Sequence, residues 1–553
     1  MELSRFFLAF RRRSVRRWLF DNTAAKLLTA ALFLGLLVAL AYGLELFCAA
    51  SFEYLVRNPA VAATASAYVY ELFFLVVGLL VVASTLIGSL FTLFRSHNQG
   101  LIITSPAASR LFGINQMTVT TSSAWPFLLF FGPAVVALRS AFGLHFWDLL
   151  EMLAGIILLS LWLSWLSLAL LLGLAQSLAA FKHLTFNALS TGIGLIGLIG
   201  IIGLGYWSSS GNLFDLGSLP FIQGQAANVG LITQRFSLLP THPAARLLYA
   251  LQSGNDPFVW LAVLAAGAAC SYLVMQVLAT GYVNLWVRLQ EGQLISKANA
   301  SRAAKSQDFL LSQSRTPLEA VFAKEFLIFR REPQQLLWFG FLIGMWAVQT
   351  LLVSGTIRHQ SLGASSPLIL LVQPLQFLVT LYFVATACLR FVFPSFSSER
   401  RSAWLIASSP LSLKLLLLAK SAWFSLLFVI TGLAISAINL SLLGIAAGTG
   451  AYVSILLTVA ILTLVQLSLA LGIFFPNFET DDPQVLSTSL PGFFLIGLSL
   501  GYGALGSLAL SQYLHGTPLA SLIWLIGSFA SCVVLYAASS RQMRDFEFVK
   551  IVK

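Results

Sequence analysis

The chain has few charges, few cysteines and no recognisable catalytic motif. Only 9% of its 553 residues are charged, whereas 58% are hydrophobic. Its four cysteines lie far apart, which argues against a disulfide framework or a cysteine metal site. The sequence contains no G-x-x-x-x-G-K-[ST], the loop that cradles nucleotide phosphates, and no H-E-x-x-H zinc motif. We therefore expect no catalytic site, no metal site and no enzymatic activity in the chain itself.

Long apolar segments run along the whole sequence. Each is long enough to cross a bilayer core of roughly 30 Å as a helix. We predict an all-α, polytopic integral membrane protein with about 12 transmembrane helices, in two six-helix halves. The predicted spans are 26–48, 67–94, 125–141, 150–176, 187–206, 258–285, 335–355, 368–394, 421–443, 451–475, 488–511 and 520–540.

The positions of Lys and Arg predict the orientation in the membrane. Cytoplasmic loops carry an excess of these residues. With the N-terminus inside, the outer segments hold only Arg57, Arg139, Arg235, Arg246 and Arg358. Both termini are therefore expected in the cytoplasm. The net charge of +12 follows from this topology and suits lipid headgroups rather than nucleic acid. We expect a multi-pass protein of the plasma membrane, in bacteria the inner membrane.

An internal repeat predicts the domain organisation. The segment I-I-T-S-P-A-A-S-R-L-F-G-I-N-Q-M-T at 102–118 resembles I-A-S-S-P-L-S-L-K-L-L-L-L-A-K at 406–420, and N-A-L-S-T-G-I-G at 187–194 resembles Q-V-L-S-T-S-L-P-G at 484–492. Matched features in the same order indicate two parallel halves. The predicted domains are a first half, a polar cytoplasmic linker and a second half, at 1–285, 286–316 and 317–553.

Amphipathic segments precede the first span of each half. Residues 6–13 and 326–333 place Phe, Leu and Ile beside Arg, which is typical of a helix lying in the membrane interface. Pro333 should end the second of these helices. In addition, 238–251 of the long outer loop 207–257 reads as a short helix lying at the outer surface. The interfacial residues are Arg11, Arg12, Arg330, Arg331 and Pro333.

The two Ser-Pro segments read as short cytoplasmic helices between spans. One copy alone would favour a simple interfacial anchor, but two equivalent copies favour a role in coupling a soluble partner to the membrane. The acidic turn around Glu479, Asp481 and Asp482 is interpreted as a capped turn rather than a Mg²⁺ or Ca²⁺ site. Among the acids near the spans, Glu71 is the one candidate for a functional role.

Four segments carry a resemblance to a known family. They are R-R-E-P at 330–333, F-P-S-F-S-S-E-R-R-S-A-W-L-I-A-S-S-P-L-S at 393–412, F-P-N-F-E-T-D-D-P at 475–483 and S-T-S-L-P-G at 487–492. In these segments the chain resembles an ABC transporter permease of the type 2 exporter class, with both six-span halves fused. The resemblance is clearest in the second half, because the first lacks the acidic turn and the R-R-E-P ending.

The resemblance implies an ATP-driven exporter of a lipid-like, amphipathic or drug-like substrate. It implies two cytoplasmic ABC ATPase subunits as partners, with membrane lipids around the chain, and ATP and Mg²⁺ bound on those partners and not here. The implied ATPase-docking residues are Ser105, Pro106, Ser109, Arg110, Glu399, Arg400, Ser409, Pro410, Ser412 and Lys414. The cytoplasmic-turn residues are Pro476, Asn477, Asp482, Pro483, Ser487 and Thr488.

Three other classes were weighed against this interpretation. A twelve-helix secondary transporter driven by an ion gradient would also have two parallel halves, but it would need an acid at the membrane midplane, and none is evident. A lipid-modifying enzyme would need a clustered catalytic set. A membrane scaffold or sensor would be expected to carry a soluble domain.

Overall fold

The computed structural model describes most of the chain, and the account below concerns these residues alone. They are 59–94, 112–113, 115–120, 132, 135–140, 142–179, 186–209, 236–289, 316–358, 367–401, 412–442, 445, 447–476, 486–487 and 489–543, with single positions between 31 and 49.

The described residues form helices and turns and contain no β-strand. Eight of their helices are long and apolar enough to cross a membrane: Phe73–Phe94, Phe146–Leu178, Phe258–Ala279, Gln373–Glu399, Leu413–Ser441, Ala447–Phe474, Leu490–Leu514 and Leu519–Gln542. The chain is thus an all-α, polytopic membrane protein, which confirms the predicted fold class. The count of twelve spans and the cytoplasmic location of the termini stay predictions.

Two compact units can be distinguished, the first built mainly from residues 37–201 and 215–300 and the second mainly from residues 301–553. After a turn at 280–281, a further helix occupies 282–289, and its residues 286–289 lie in the predicted linker. The predicted boundaries of the halves and of the linker stay predictions.

The first unit contains four whole helices and the larger part of a fifth, whose residues from 202 onward group with the second unit. They are α1 (Pro59–Phe94), α2 (Phe146–Ala179), α3 (Phe186–Ser209), α4 (His242–Ser253) and α5 (Phe258–Ala279). The core is formed where α1, α2, α4 and α5 meet, around Tyr70, Phe74, Leu163, Leu248 and Leu264. Within a bilayer, close van der Waals packing of such side chains favours association of the helices.

Helix α4 corrects one expectation. The sequence predicted a short helix around 238–251, and the helix is present, but it does not lie at the surface. It packs between α1, α2 and α5, and most of its residues are buried. The reason is that small and aliphatic side chains, from Ala244 and Ala245 to Leu247 and Leu248, cover more than one of its faces.

The second unit contains seven longer helices and a set of short turns. The longer helices are α6 (Pro317–Arg331), α7 (Pro333–Arg358), α8 (Pro367–Ala387), α9 (Leu413–Leu442), α10 (Ala447–Phe474), α11 (Leu490–Leu514) and α12 (Leu519–Gln542). Helix α6 ends at Arg331 and α7 begins at Pro333, which confirms the predicted break. Proline lacks the N–H that would continue α6, but it is well tolerated in the first turn of α7.

Candidate functional site

Helix α6 supplies two charged residues to a buried site. The Thr316 side chain accepts a hydrogen bond from the Glu319 N–H at 3.3 Å and caps the helix start. Val321, Glu325 and Phe329 follow one another at intervals of four, so they lie on one face, and all three are buried. Glu325 is thus an acid within the apolar stripe of an amphipathic helix, and Lys324 lies beside it.

An irregular segment after α8 supplies the second acid. The α-helix changes to a π-helix at Cys388–Val392, then to 3₁₀ turns at Phe393–Ser395 and Ser397–Arg401. Pro394 has no N–H to donate, so a regular helix cannot continue through it. Helix α10 approaches this segment so closely that a Cβ on Gly472 would lie 2.5 Å from the Phe393 carbonyl oxygen. The irregular backbone directs Glu399 inward, where it is 4% exposed.

Lys420 of α9 occupies the centre of the site. It is 3% exposed, and its Nζ lies 2.8 Å from Glu325 Oε1, 2.9 Å from Glu399 Oε1 and 3.2 Å from the Ser395 carbonyl oxygen. An ammonium group has three N–H donors and no acceptor. All three donors of Lys420 therefore have acceptors within hydrogen-bonding distance.

Lys324 completes the site from the half-exposed side. Its Nζ donates to both carboxylate oxygens of Glu399, at 2.6 and 2.7 Å, and lies 3.8 Å from Glu325 Oε1. Lys324, Glu325, Glu399 and Lys420 are called the ionic cluster below. Two positive and two negative charges balance, so the ionic cluster is neutral as a whole. Removing one member of such a buried set leaves an uncompensated charge, which typically costs about 3–5 kcal/mol.

Aromatic side chains surround the ionic cluster on the α6 side. Phe322, Phe326 and Phe329 each contact the Trp423 ring edge-on, with ring centroids 5.1 to 6.3 Å apart. Phe329 also packs against Phe391 of the π-helix at 5.8 Å. These rings exclude water from the charged groups, and a low local dielectric strengthens the ion pairs. Helices α6, α9 and the segment after α8 are thus joined by both charge and packing.

The structure locates several residues that the sequence singled out. Glu399 lies inside the ionic cluster, while Ser412 and Lys414 at the start of α9 are exposed, as are Arg330 and Arg331. Pro333 is buried, Pro476 and Ser487 are half-buried, and the backbone of Arg400 lies in the 3₁₀ turn. The docking, interfacial and turn roles of these residues stay predictions. Outside the described residues lie Arg11, Arg12, Ser105, Pro106, Ser109, Arg110, Ser409, Pro410, Asn477, Asp482, Pro483 and Thr488.

Three members of the ionic cluster were missed as site residues. Lys324 and Glu325 lie just before the predicted amphipathic segment 326–333, and Lys420 lies at the end of the second Ser-Pro segment, where it was interpreted only as a source of charge. The signal was in the sequence. Glu325 interrupts an apolar stripe between Val321 and Phe329, and Lys420 sits in the apolar run of α9. A charge at a position that periodicity assigns to the interior requires a partner of opposite charge.

Comparison with known proteins identifies one family. A family model described as a putative ATP-binding cassette matches residues 22–528. No curated protein and no solved structure matches the chain. The matched range includes seven of the eight candidate membrane spans of the described residues and the start of the eighth, Leu519–Gln542, so the family description applies to the membrane-spanning chain and not to an appended domain.

This match corrects four expectations drawn from the sequence. A family described as an ATP-binding cassette contradicts the identification as a type 2 exporter permease and the function of a permease driven by separate ATPases. It also contradicts the expected absence of enzymatic activity and the placement of ATP and Mg²⁺ on partners alone. A missing motif is weak evidence against a function. The missing P-loop excludes one kind of phosphate-binding loop, but it does not exclude nucleotide binding by other residues.

The ionic cluster itself does not fit a nucleotide. Its two lysines are held by two glutamates, so neither ammonium is available to a phosphate group. Likewise, the part of the chain that the structure describes contains no group of three His, Cys, Asp or Glu side chains suited to a metal ion. We therefore assign no nucleotide to the ionic cluster. Because the family model covers most of the sequence, the chain belongs to the family of putative ATP-binding cassette proteins.

Proposed function

We propose that the chain is a membrane component of an ATP-binding cassette transporter, and that the ionic cluster makes α6, α8 and α9 move together during each ATP-driven cycle. Family membership supports the link to ATP, and the eight apolar helices support work done within a membrane. The observation that carries the mechanical part is the buried Lys420 ammonium, which binds acceptors from two other elements at once.

Helix α6 has the character of a helix at the membrane interface. Its exposed side carries both apolar and cationic side chains, namely Phe326, Ile328, Arg330 and Arg331. Its buried side carries Glu325. A helix of this kind lies along the interface, with its apolar side chains toward the acyl chains and its cations toward headgroups. A force applied to it from the cytoplasm would act parallel to the membrane surface.

Three connections carry a displacement of α6 into the membrane. Pro333 links it directly to α7, whereas Glu325 links it to α9 through Lys420 and Lys324 links it to the end of α8 through Glu399. Separating any of these ion pairs without replacing the partner would expose a buried charge. The lowest-energy response is therefore a common movement of the elements rather than a separation of α6 from the bundle.

The partners and the location belong to the same proposal. Cytoplasmic ABC ATPase subunits and membrane lipids are the proposed partners, and nucleic acid is not. The proposed location is the plasma membrane, in bacteria the inner membrane. The exposed cations of α6 suit anionic lipid headgroups at that surface.

The test compares nucleotide binding with turnover. The tagged chain, with any subunits that co-purify, is reconstituted in lipid nanodiscs, and ATP affinity and Mg²⁺-dependent hydrolysis are measured. The main variant is E325L/K420M, which removes one positive and one negative charge and leaves the Lys324–Glu399 pair. We expect ATP affinity within about twofold of the parent and hydrolysis lower by about tenfold or more, as for a loss of transition-state stabilisation alone.

The matched control is R541Q, which removes an exposed cation from the last turn of α12 and should leave both quantities unchanged. Two results would overturn the proposal. One is a parent preparation that does not hydrolyse ATP. The other is an E325L/K420M variant that is folded and turns over at the parental rate.

A further inference from the structure

A second set of buried charged groups lies in the first unit, between α1 and α4. The Glu71 side chain is 2% exposed and His242 is 5% exposed, and Glu71 Oε1 lies 2.6 Å from His242 Nδ1. The other carboxylate oxygen, Oε2, is buried and has no hydrogen-bond partner among the described residues. A buried carboxylate that uses only one oxygen is an unusual arrangement, because an unpaired buried acceptor is costly.

Arg246 offers a second partner for this carboxylate. It follows His242 by four positions on α4, so the two side chains lie on the same face about one turn apart. Its Nε is buried and, within the described part of the chain, makes no hydrogen bond, while its guanidinium lies 5.7 Å from the centre of the Tyr249 ring. Burial lowers the pKa of Arg246, and the nearby Glu71 carboxylate opposes that shift. Arg246 and Glu71 are thus near one another but not paired.

Apart from these groups, helix α4 is held mainly by apolar packing rather than by polar contacts. It has 12 residues, too few for a stable helix on its own, so packing must hold it in place. Thr241 precedes it without a side-chain capping bond, and Gly254 follows it in the left-handed conformation at φ 69°. A hydrogen bond of 2.9 Å from the Tyr70 hydroxyl to Gln252 Oε1 also joins α4 to α1.

Two side chains of α4 fit into gaps left by glycines on α1 and α2. A Cβ on Gly78 would lie 2.5 Å from Thr241 Cγ2, and a Cβ on Gly155 would lie 2.2 Å from Leu247 Cδ2. Glycine at both positions lets α4 approach α1 and α2 closely. A displacement of one turn, about 5.4 Å, would replace His242 by Arg246 opposite Glu71.

We propose that α4 has two stable positions, one in which Glu71 binds His242, as observed, and one in which Glu71 binds Arg246 after a shift of one helical turn. Packed helices change position in discrete steps of this size rather than continuously. Every charged group acting on Glu71 in this unit comes from α4, namely His242 and Arg246. The inference concerns the first unit alone and does not rest on the proposed function.

A disulfide between α1 and α4 reports which position is occupied. The Cβ of Thr241 lies 4.0 Å from the Cβ that Gly78 would carry, a separation suited to a disulfide. In a G78C/T241C chain whose native cysteines are replaced by serine, the bond can form only in the observed position. The rate of its formation under a mild oxidant, read from the mobility of the intact chain on a gel, therefore measures how often that position is occupied.

Two single substitutions added to G78C/T241C should change this rate in opposite directions. H242A removes the partner in the observed position, so we expect disulfide formation to slow by about fivefold or more. R246Q removes the partner in the shifted position, so formation should become faster or more complete. H145A and R139Q are matched controls that remove an exposed histidine and an exposed arginine from the same unit, and they should leave the rate unchanged.

If R246Q has no effect or slows disulfide formation, α4 occupies only the observed position and the two-position proposal is wrong. The R246Q measurement tests the two-position proposal even if the H242A variant does not fold. A parent without ATP hydrolysis would leave these rates unaffected, so failure of the proposed function and failure of this proposal can be told apart.

Discussion

The two sets of buried charges differ in how completely their hydrogen bonds are satisfied. In the ionic cluster, both oxygens of Glu399 and all three donors of Lys420 have partners, and two positive charges balance two negative ones. In the Glu71–His242 pair, one carboxylate oxygen and the Nε of Arg246 lack partners within the described residues. A saturated cluster has one favoured arrangement, whereas an unsaturated one has a second arrangement available.

This difference assigns the two sets different mechanical roles. The ionic cluster joins three elements, and any separation of them would leave a charge without a partner, so it acts as a rigid connection. The Glu71–His242 pair joins two elements, and Arg246 can replace the bond that is lost, so it permits movement. Buried polar groups therefore stabilise one structure when all are satisfied and allow two when some are not.

Removing Lys420 should cause the largest loss of stability. K420M leaves Glu325 and Glu399 buried with only Lys324 to balance them. We expect the free energy of unfolding to fall by about 3–5 kcal/mol, which corresponds to a midpoint of thermal unfolding lower by roughly 3–4 °C in a chain of this size. The measurement is thermal unfolding in detergent, with R541Q as control. A midpoint within about 1 °C of the parent would show that the ionic cluster is not saturated in the way described.

Removing a second member should reverse most of that loss. E325L/K420M takes away one charge of each sign and places apolar side chains beside Trp423 and Phe329. Replacing a buried ion pair with apolar residues is often close to neutral, so we expect stability within about 1–2 kcal/mol of the parent. The same thermal measurement on K420M, E325L and the double variant forms a double-mutant cycle. Additive losses would mean that Glu325 and Lys420 do not interact.

The sequence was sufficient to predict the fold class and several local features. Hydropathy predicted an all-α membrane protein, and the Arg-rich amphipathic segment before Pro333 predicted α6 and its end. These features depend on residues that are close together in the chain. The burial of α4 was not predicted, because a short helix with apolar residues on several faces fits a surface loop and a packed core equally well until its neighbours are known.

The candidate site was harder to predict, because its members are distant in sequence. Lys324 and Glu399 are 75 positions apart, and Glu325 and Lys420 are 95 positions apart. No motif has that spacing, so pairing can be inferred only from an unexplained charge in an apolar stripe. The link to ATP was mispredicted for a different reason. The absence of one motif was taken as the absence of a function, and the family match contradicts that step.

The smallest predicted change in stability is that of E71Q, which tests whether the Glu71 carboxylate is less fully hydrogen-bonded than the ionic cluster. E71Q removes the buried negative charge but keeps a side chain of the same shape, which can still accept a hydrogen bond from His242. The parent carboxylate uses only one of its oxygens, so little is lost and the cost of burying a charge is relieved. We expect the free energy of unfolding to change by about 1 kcal/mol or less, against 3–5 kcal/mol for K420M. Thermal unfolding of both variants side by side tests this ratio. If E71Q destabilises the chain as much as K420M does, the Glu71 carboxylate is as fully bonded as the ionic cluster, and Arg246 is already its partner rather than an alternative one.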